Sequence, residues 1–264
     1  KMKTNQECVL EFTDAFNMFK TEYGKYSREL LLENPKTSKL RYDLINEEYN
    51  ELLDAFKDKD FVEVIDALTD ILYVTYGAGV ALGIDLDKSF PTITMKFRRK
   101  EFDETKTHFE NIVGSYTLDN KKIKKTIFNE GRESELNSIT VFTKTLDRDM
   151  ELLHEILIKF NQTEKLEEVL NKINYKVYSI GVLLNINLDI SFDIVHKSNM
   201  SKVCDDEKTA IATVENYKNN DTRYDSPVMY ELLDGRYIVR NESTGKALKS
   251  IKYTAADFTS MLNH

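Results

Sequence analysis

The chain is poor in residues that interrupt helices or build disulfide frameworks. Its 264 residues include only three prolines and nine glycines, so long helices are easily accommodated and an all-β fold is disfavoured. The two cysteines, Cys8 and Cys204, lie far apart and form neither a CxxC pair nor a zinc-binding spacing. No apolar leader segment is visible, and we therefore expect a protein of the reducing cytoplasm.

Features of membrane proteins and of duplex-DNA binders are also missing. The longest mostly apolar stretch, residues 71–86, is too short and too mixed to span a bilayer. The 37 basic and 45 acidic side chains give a net charge of −8, which disfavours binding to nucleic acid phosphates. We therefore expect neither a membrane nor a nucleic acid partner. A small phosphorylated ligand is still compatible, because a bound metal reverses the charge of an acidic pocket.

Apolar residues recur at helical spacing through most of the chain. Asp60 is a predicted helix N-cap, and Gly83 is a predicted helix end. The Asp234-Gly235 pair between two apolar runs predicts a β-hairpin, with a third strand near residues 246–251. We predict a mainly α fold with a small C-terminal β-hairpin appendage. The predicted helices cover about residues 8–20, 39–57, 61–82, 146–160 and 164–184.

The chain contains an internal repeat. Residues 71–90 and 173–192 are identical at 11 of 20 positions at a constant offset of 102 residues, and the matches include polar and turn positions. Such self-similarity predicts a duplication, in which two helical hairpins pack into one bundle. The predicted organisation is a first repeat with the active site at 1–100, a connector at 101–138, a degenerate second repeat at 139–204 and the appendage at 205–264.

Acidic side chains are concentrated on two neighbouring predicted helices. Glu48 and Glu51 share one helical face, and Glu63, Asp66 and Asp70 share a face of the next helix. A short turn joins the two helices, so the carboxylates are predicted to meet at a similar height. Carboxylates that converge repel one another unless they are neutralised, and Mg²⁺ is a suitable neutraliser. From the pattern alone, an ordinary solvated acidic face is an equally open interpretation.

The spacing of these acids resembles a family signature. Glu47-Glu48-Tyr49-Asn50-Glu51, then 11 residues, then Glu63-Val64-Ile65-Asp66, resembles the EExxE…ExxD pattern of the all-α NTP pyrophosphohydrolases. That superfamily includes MazG-like proteins, dimeric dUTPases and phosphoribosyl-ATP pyrophosphohydrolases, and the resemblance covers about residues 8–95. It implies a MazG-like helical bundle made of two repeated helical units.

The resemblance also implies roles for the acidic residues. Mg²⁺, with Mn²⁺ as an alternative, would be the cofactor, and Asp70 would be a secondary site candidate. Glu47 or Glu48 would position or deprotonate the attacking water. The implied metal ligands are Glu48, Glu51, Glu63 and Asp66.

The second repeat does not keep this acid set. At the 102-residue offset, Glu63 corresponds to Lys165 and Asp70 corresponds to Lys172, and lysine does not bind Mg²⁺. The second repeat has instead the segment Asp193 to Lys202, which resembles part of the nucleotide-binding wall of MazG-like proteins. A polar loop that closes the bundle is the simpler alternative. The predicted substrate-binding residues are His196, Ser198, Asn199 and Lys202.

Together these features predict a fused pseudo-dimer with one working site. The first repeat would supply the metals and the second the nucleotide contacts, so Asn199 should lie near the acidic residues. Association of the whole chain into a further homodimer is left open. Lys246 and Lys249 in the hairpin could touch phosphate, although charged strand faces are usually solvated.

The function predicted from the resemblance is Mg²⁺-dependent hydrolysis of an NTP or dNTP to the monophosphate and pyrophosphate. A phosphoribosyl-ATP pyrophosphohydrolase or a dUTPase-like enzyme is an alternative, because the choice of base depends on the shape of the pocket. A catalytically silent protein that binds nucleotide or regulates a partner is an alternative of another class. A purely structural bundle is a weaker one.

Overall fold

The computed structural model describes residues 3–90, 133–184 and 186–262, so most of the predicted connector lies outside the described residues. The mainly α fold class is confirmed, and a small antiparallel sheet lies near the C-terminus. The first repeat contains α1 (Asn5–Ala15), α2 (Arg28–Glu33), α3 (Pro35–Lys57) and α4 (Phe61–Leu82). The second repeat contains α5 (Glu133–Leu157), α6 (Leu166–Leu183) and α7 (Leu188–Met200). The C-terminal region contains α8 (Glu207–Asn220), β1 (Pro227–Glu231), β2 (Tyr237–Asn241), β3 (Ala247–Leu248) and α9 (Thr259–Leu262).

Helices α3 and α4 form the antiparallel hairpin predicted from the sequence. Helix α3 begins with Pro35, which suits the first turn of a helix because it has no N–H to satisfy. The Asp60 side chain accepts a hydrogen bond from the Glu63 backbone N–H at 3.2 Å and so caps α4. Gly83 ends α4 in the left-handed region, with φ of 79°. The predicted cap and the predicted end of this helix are both confirmed.

Helix α4 is the central helix of the bundle. Within the described residues, it alone is long and apolar enough to cross a membrane by length and composition. However, 83% of its apolar window is buried against the other helices, chiefly α1, α3, α6 and α7. Its apolar character therefore reflects its central place in the core.

The two repeats share the same backbone design. The α3–α4 hairpin corresponds to α5–α6 at the 102-residue offset. After α4 the Ile84 N–H donates to the Gly79 carbonyl at 2.9 Å, and after α6 the Ile186 N–H donates to the Gly181 carbonyl at 2.8 Å. A Cβ at Gly79 would lie 2.8 Å from the Ile84 carbonyl oxygen, which explains why this position holds glycine.

Polar contacts between the repeats occur in exchanged pairs. The hydroxyl groups of Thr69 and Ser191 share a buried hydrogen bond of 2.7 Å. At the offset positions, the Asn171 side-chain amide donates to the Ser89 hydroxyl at 3.1 Å. Position 69 thus contacts the equivalent of position 89 in the other repeat, and the reverse contact is also made.

Aromatic contacts between the repeats follow the same rule. The ring centroids of Tyr76 and Phe192 lie 6.1 Å apart. The equivalent pair, Tyr178 and Phe90, also has a centroid separation of 6.1 Å. Reciprocal contacts of this kind are produced by a two-fold relation between like units. The repeats therefore pack about an approximate two-fold axis within one chain.

Some element boundaries differ from the sequence prediction. Helix α5 begins at Glu133, about three and a half turns before the predicted start, and its early turns bury Ile139 and Phe142. Helix α8 was not predicted. Its sequence is mostly polar and buries only Thr209, Ala210 and Thr213, so its hydrophobic period is weak.

The C-terminal sheet, which was predicted as an appendage on the bundle, packs against the first repeat. Phe16, beyond the end of α1, forms a buried cluster with Val203 and with Ile238 of β2. The Arg240 guanidinium also donates to the Asn17 carbonyl at 2.8 Å. The apolar face of β2 was visible in the sequence, but the surface that it covers was not. These contacts bring the sheet to the open side of the α3–α4 hairpin.

Candidate active site

A cavity of about 500 Å³, which we call the acidic cavity, lies where the first repeat, α7 and the C-terminal region meet. Helices α3 and α4 contribute the predicted carboxylates to one of its sides, because i, i+3 and i, i+4 positions share a helical face. We call these six residues the acidic cluster: Glu47, Glu48, Glu51, Glu63, Asp66 and Asp70.

The carboxylates are close enough to oppose one another's ionisation. Burial, together with the nearby charges of Asp70 and Glu51, raises the pKa of Glu48 to about 10. Burial and then Glu63 raise the pKa of Asp66 to about 6. Burial and then Asp66 raise the pKa of Asp70 well above its usual range. An ordinary solvated face would not perturb these groups in this way, so the acids form a genuine cluster.

The acidic cluster has the donor chemistry of a Mg²⁺ or Mn²⁺ site. It offers only carboxylate oxygens, and Oε2 of Glu48 is buried without a hydrogen-bond partner among the described residues. In the described ranges, no three Asp, Glu, His or Cys side chains already stand at the spacing of a metal-ligand set. The residues therefore fit a hard cation, and its binding requires the carboxylates to turn toward a common point.

The equivalent place in the second repeat has lost this chemistry. Positions 48 and 51 correspond to Met150 and Leu153, which are buried apolar residues. Asp149, the equivalent of Glu47, forms a buried ion pair with Lys176 at 2.6 Å. The degenerate repeat therefore keeps the packing of the fold and replaces the acidic cluster.

Asn199 and Lys202 reach the acidic cavity from α7 and from the residues just after it. Burial lowers the pKa of Lys202 to about 8, and the opposing charges of Asp70 and Glu48 favour its protonated form. The predicted proximity of Asn199 to the acidic residues is confirmed. The second repeat thus supplies both an amide and a cation opposite the carboxylates of the first.

Ser198 also lines the acidic cavity, but its hydroxyl group is engaged. It lies 3.0 Å from the Tyr253 hydroxyl and 2.8 Å from the Thr254 carbonyl oxygen. These bonds hold the segment that follows β3 against α7. The structure therefore shows Ser198 as a residue that positions one wall of the cavity.

The structure does not bring His196 to the acidic cluster. Its Nδ1 lies 2.9 Å from the Tyr73 hydroxyl, and its Nε2 lies 3.7 Å from a Glu11 carboxylate oxygen, in a second cavity beside α1. His196 hydrogen-bonds the Tyr73 hydroxyl on the side of this second cavity, whereas Asn199, one helical turn later, lines the acidic cavity. The prediction that His196 faces the same site is therefore wrong.

The sequence interpretation underestimated a basic and aromatic surface on the C-terminal region, which we call the basic wall. Lys246 lies 3.2 Å from a Glu47 carboxylate oxygen, and Lys249 lies 4.8 Å from the Tyr253 ring centroid. Lys246 is thus paired with a carboxylate, and Lys249, although exposed, is close enough to oppose the rise in the pKa of Asp66, so both lysines belong to the site. The wall consists of Tyr217, Arg223, Tyr224, Lys246, Lys249 and Tyr253.

Comparison with known proteins agrees with this geometry. The family model of phosphoribosyl-ATP pyrophosphohydrolase matches residues 10–97, a span that includes the entire acidic cluster. An uncharacterized protein of Acanthamoeba polyphaga mimivirus is 31% identical over 270 residues, which cover 98% of this chain and 96% of that protein. No solved structure matches. The family match supports a pyrophosphohydrolase-type hydrolase in general. Residues 10–97 thus form a phosphoribosyl-ATP pyrophosphohydrolase domain, and the helical fold of the chain fits the MazG-like, all-α superfamily.

Proposed function

We propose that this protein hydrolyses a nucleoside or deoxynucleoside triphosphate to the monophosphate and pyrophosphate, with Mg²⁺ as cofactor. One observation carries the proposal. The acidic cluster shares one cavity with cations from the second repeat and from the basic wall. A cavity with carboxylates on one side and lysines on the other suits a polyphosphate that a metal ion bridges to the protein.

Glu48, Glu51, Glu63 and Asp66 would hold the metal. A bound divalent cation would neutralise these carboxylates and the phosphate oxygens that face them. Lys202 already lies beside Asp70 and Glu48, so it would contact the same phosphate oxygens from the opposite side. The negative charge of Asp70 would favour the protonated form of Lys202.

In the reaction, the oxygen of a water molecule forms a bond to the α-phosphorus. The bond from that phosphorus to the α,β-bridging oxygen breaks, and pyrophosphate leaves with the electron pair. The water proton passes to a carboxylate. Glu48 suits this role better than Glu47, because Glu47 is partly exposed and already paired with Lys246. Lys246 and Lys249 would stabilise the charge that develops on the leaving pyrophosphate.

The two repeats would correspond to the two subunits of a dimer that are fused into one chain. The exchanged contacts of Thr69 with Ser191 and of Asn171 with Ser89 support this assignment. One half would bring the carboxylates, the other Asn199 and Lys202, and the chain would carry one working site. We retain the cytoplasm as its proposed location.

The first experiment is pyrophosphate release from a panel of NTPs, dNTPs and phosphoribosyl-ATP, with excess Mg²⁺ and with EDTA. Release that requires Mg²⁺ would establish the activity and identify the substrate. Phosphoribosyl-ATP is the second candidate because of the family match. No release from any compound, with Mg²⁺ binding retained, would favour a nucleotide-binding or regulatory protein.

Glu48→Gln tests the assignment of the site within that assay. We expect kcat to fall by at least about 100-fold with the fold retained, because the variant lacks a charge needed at the reacting centre. Asp54→Asn is the matched control, since Asp54 is an exposed acid on the same helix outside the cavity. Activity of Glu48→Gln within a few-fold of that control would refute the assignment.

A further inference from the structure

Arg41 lines the acidic cavity from α3, seven residues before Glu48. Seven residues are two helical turns, so both side chains lie on one face and are separated by about 10 Å along the helix. The Arg41 side chain is buried, with 6% exposure, and its Nε has no hydrogen-bond partner among the described residues. Among the described residues no ion pair joins it to a carboxylate, and burial lowers its pKa to about 10. A buried guanidinium without a partner is unfavourable, and a ligand with acceptor atoms would relieve that cost.

The space for this side chain is provided by α4. A Cβ at Gly77 would lie only 2.8 Å from Nη1 of Arg41, so the guanidinium occupies the room left by the absent side chain. Around it the cavity is lined by apolar and aromatic residues. They are Val9, Phe12, Leu44, Tyr73 and Val74.

The acidic cavity therefore has two chemically different ends. Carboxylates and lysines face each other at one end, which suits a metal ion and phosphates. At the other end, apolar walls surround the Arg41 guanidinium, a group that donates hydrogen bonds and cannot accept them. Such walls suit a flat, uncharged ring with polar edge atoms better than a hydrated phosphate.

We propose that Arg41 is a specificity-determining residue that binds the edge of the substrate nucleobase and favours a base with neighbouring acceptor atoms. Guanine presents O6 and N7, and cytosine presents O2 and N3. Adenine places an amino donor beside N7, so one guanidinium donor would face another donor. This inference rests on the proposed function, because it assumes that a nucleotide occupies the cavity.

Binding measurements test the inference without turnover. Isothermal titration of the full chain in Mg²⁺ would use GMP, CMP, AMP and inorganic pyrophosphate as probes. We expect GMP and CMP to bind wild type more tightly than AMP does. Arg41→Met should weaken GMP or CMP by at least about fivefold, the lower end for one bidentate base contact. Its binding of AMP and pyrophosphate should remain unchanged.

Three results would overturn the inference. Wild type could bind AMP as tightly as GMP and CMP. Arg41→Met could weaken all four probes equally, or it could weaken pyrophosphate, which would assign Arg41 to phosphate. If Arg41→Met does not fold, Arg41→Lys is the substitute, because it keeps the charge and removes the planar fork. Gly77→Ala, which would displace the guanidinium without removing it, should reduce the preference for GMP and CMP over AMP.

The inference and the proposed function can fail separately. If wild type releases no pyrophosphate from any nucleotide but binds GMP or CMP through Arg41, the hydrolase proposal fails and the base contact stands. If wild type releases pyrophosphate but Arg41→Met keeps the same base preference, the base contact fails and the hydrolase proposal stands.

Discussion

Glu48→Gln should make the metal-free protein more stable at alkaline pH. In the folded, metal-free protein the Glu48 carboxyl keeps its proton up to about pH 10, whereas the unfolded chain loses it near the ordinary value of 4.5. The folded state then binds more protons than the unfolded state. The contribution of this group to stability is therefore complete below pH 4.5 and declines as the pH rises toward 10.

The size of this loss of stability follows from the pH range over which Glu48 is protonated in the folded state and ionised in the unfolded state. Each group that is protonated only in the folded state lowers the free energy of unfolding by about 1.4 kcal/mol per pH unit. From pH 6 to pH 8, Glu48 would lower the free energy of unfolding by up to about 3 kcal/mol. The loss is smaller if neighbouring carboxylates titrate together with Glu48. Asp66 titrates largely below this range, whereas burial and the charge of Asp66 also raise the pKa of Asp70, which contributes in the same direction as Glu48. We expect Glu48→Gln to make the decline in stability with pH less steep than in wild type.

Urea unfolding in EDTA at pH 6, 7 and 8 measures this slope directly. Asp54→Asn should keep the wild-type slope, because Asp54 is exposed and outside the acidic cluster. Saturating Mg²⁺ should flatten the wild-type slope, since a cation favours the ionised carboxylates. Parallel slopes for wild type and Glu48→Gln in EDTA, or a variant less stable than wild type at pH 8, would refute the reasoning.

Three further predictions concern other parts of the molecule. Lys176→Met, which breaks the buried pair with Asp149, should lower the free energy of unfolding by about 3–5 kcal/mol in urea, whereas Lys159→Met, at an exposed pair, should cost less than about 1 kcal/mol. Lys246→Met should weaken pyrophosphate binding by calorimetry and leave the circular dichroism spectrum unchanged; unchanged affinity would remove Lys246 from the phosphate site. Gly79→Ala should cost about 1–3 kcal/mol by thermal unfolding, because the new Cβ meets a backbone carbonyl that cannot move freely. An unaltered melting temperature would contradict that.

Local chemistry made much of the first repeat predictable. The cap at Asp60, the end at Gly83 and the shared face of Glu48 and Glu51 all depend on residues within a few positions of one another. The internal repeat at an offset of 102 residues likewise predicted a bundle of two repeated units. These features could be read from the sequence because helical spacing alone determines them.

The remaining parts of the site depend on contacts between distant segments. Lys246 joins Glu47 across 199 residues, so no local pattern could assign it to the cavity. The environment of Arg41 depends on Gly77, which lies 36 positions later in the sequence. The seven-residue spacing between Arg41 and Glu48 could have indicated that both side chains share one helical face. The sequence assigned His196 to the wrong cavity, because its contact with Tyr73 joins segments that are 123 residues apart.

The approximate two-fold axis within one chain has a consequence for how the protein tolerates dilution. Two separate subunits would have to meet before a shared site formed, and at low concentration they would part. Here the halves that contribute Glu48 and Lys202 are covalently joined, so their encounter is intramolecular and has a fixed effective concentration. Activity per molecule should then be the same at nanomolar and micromolar protein. The same linkage lets one copy of the repeated surface carry Met150 and Leu153 while the other copy carries Glu48 and Glu51.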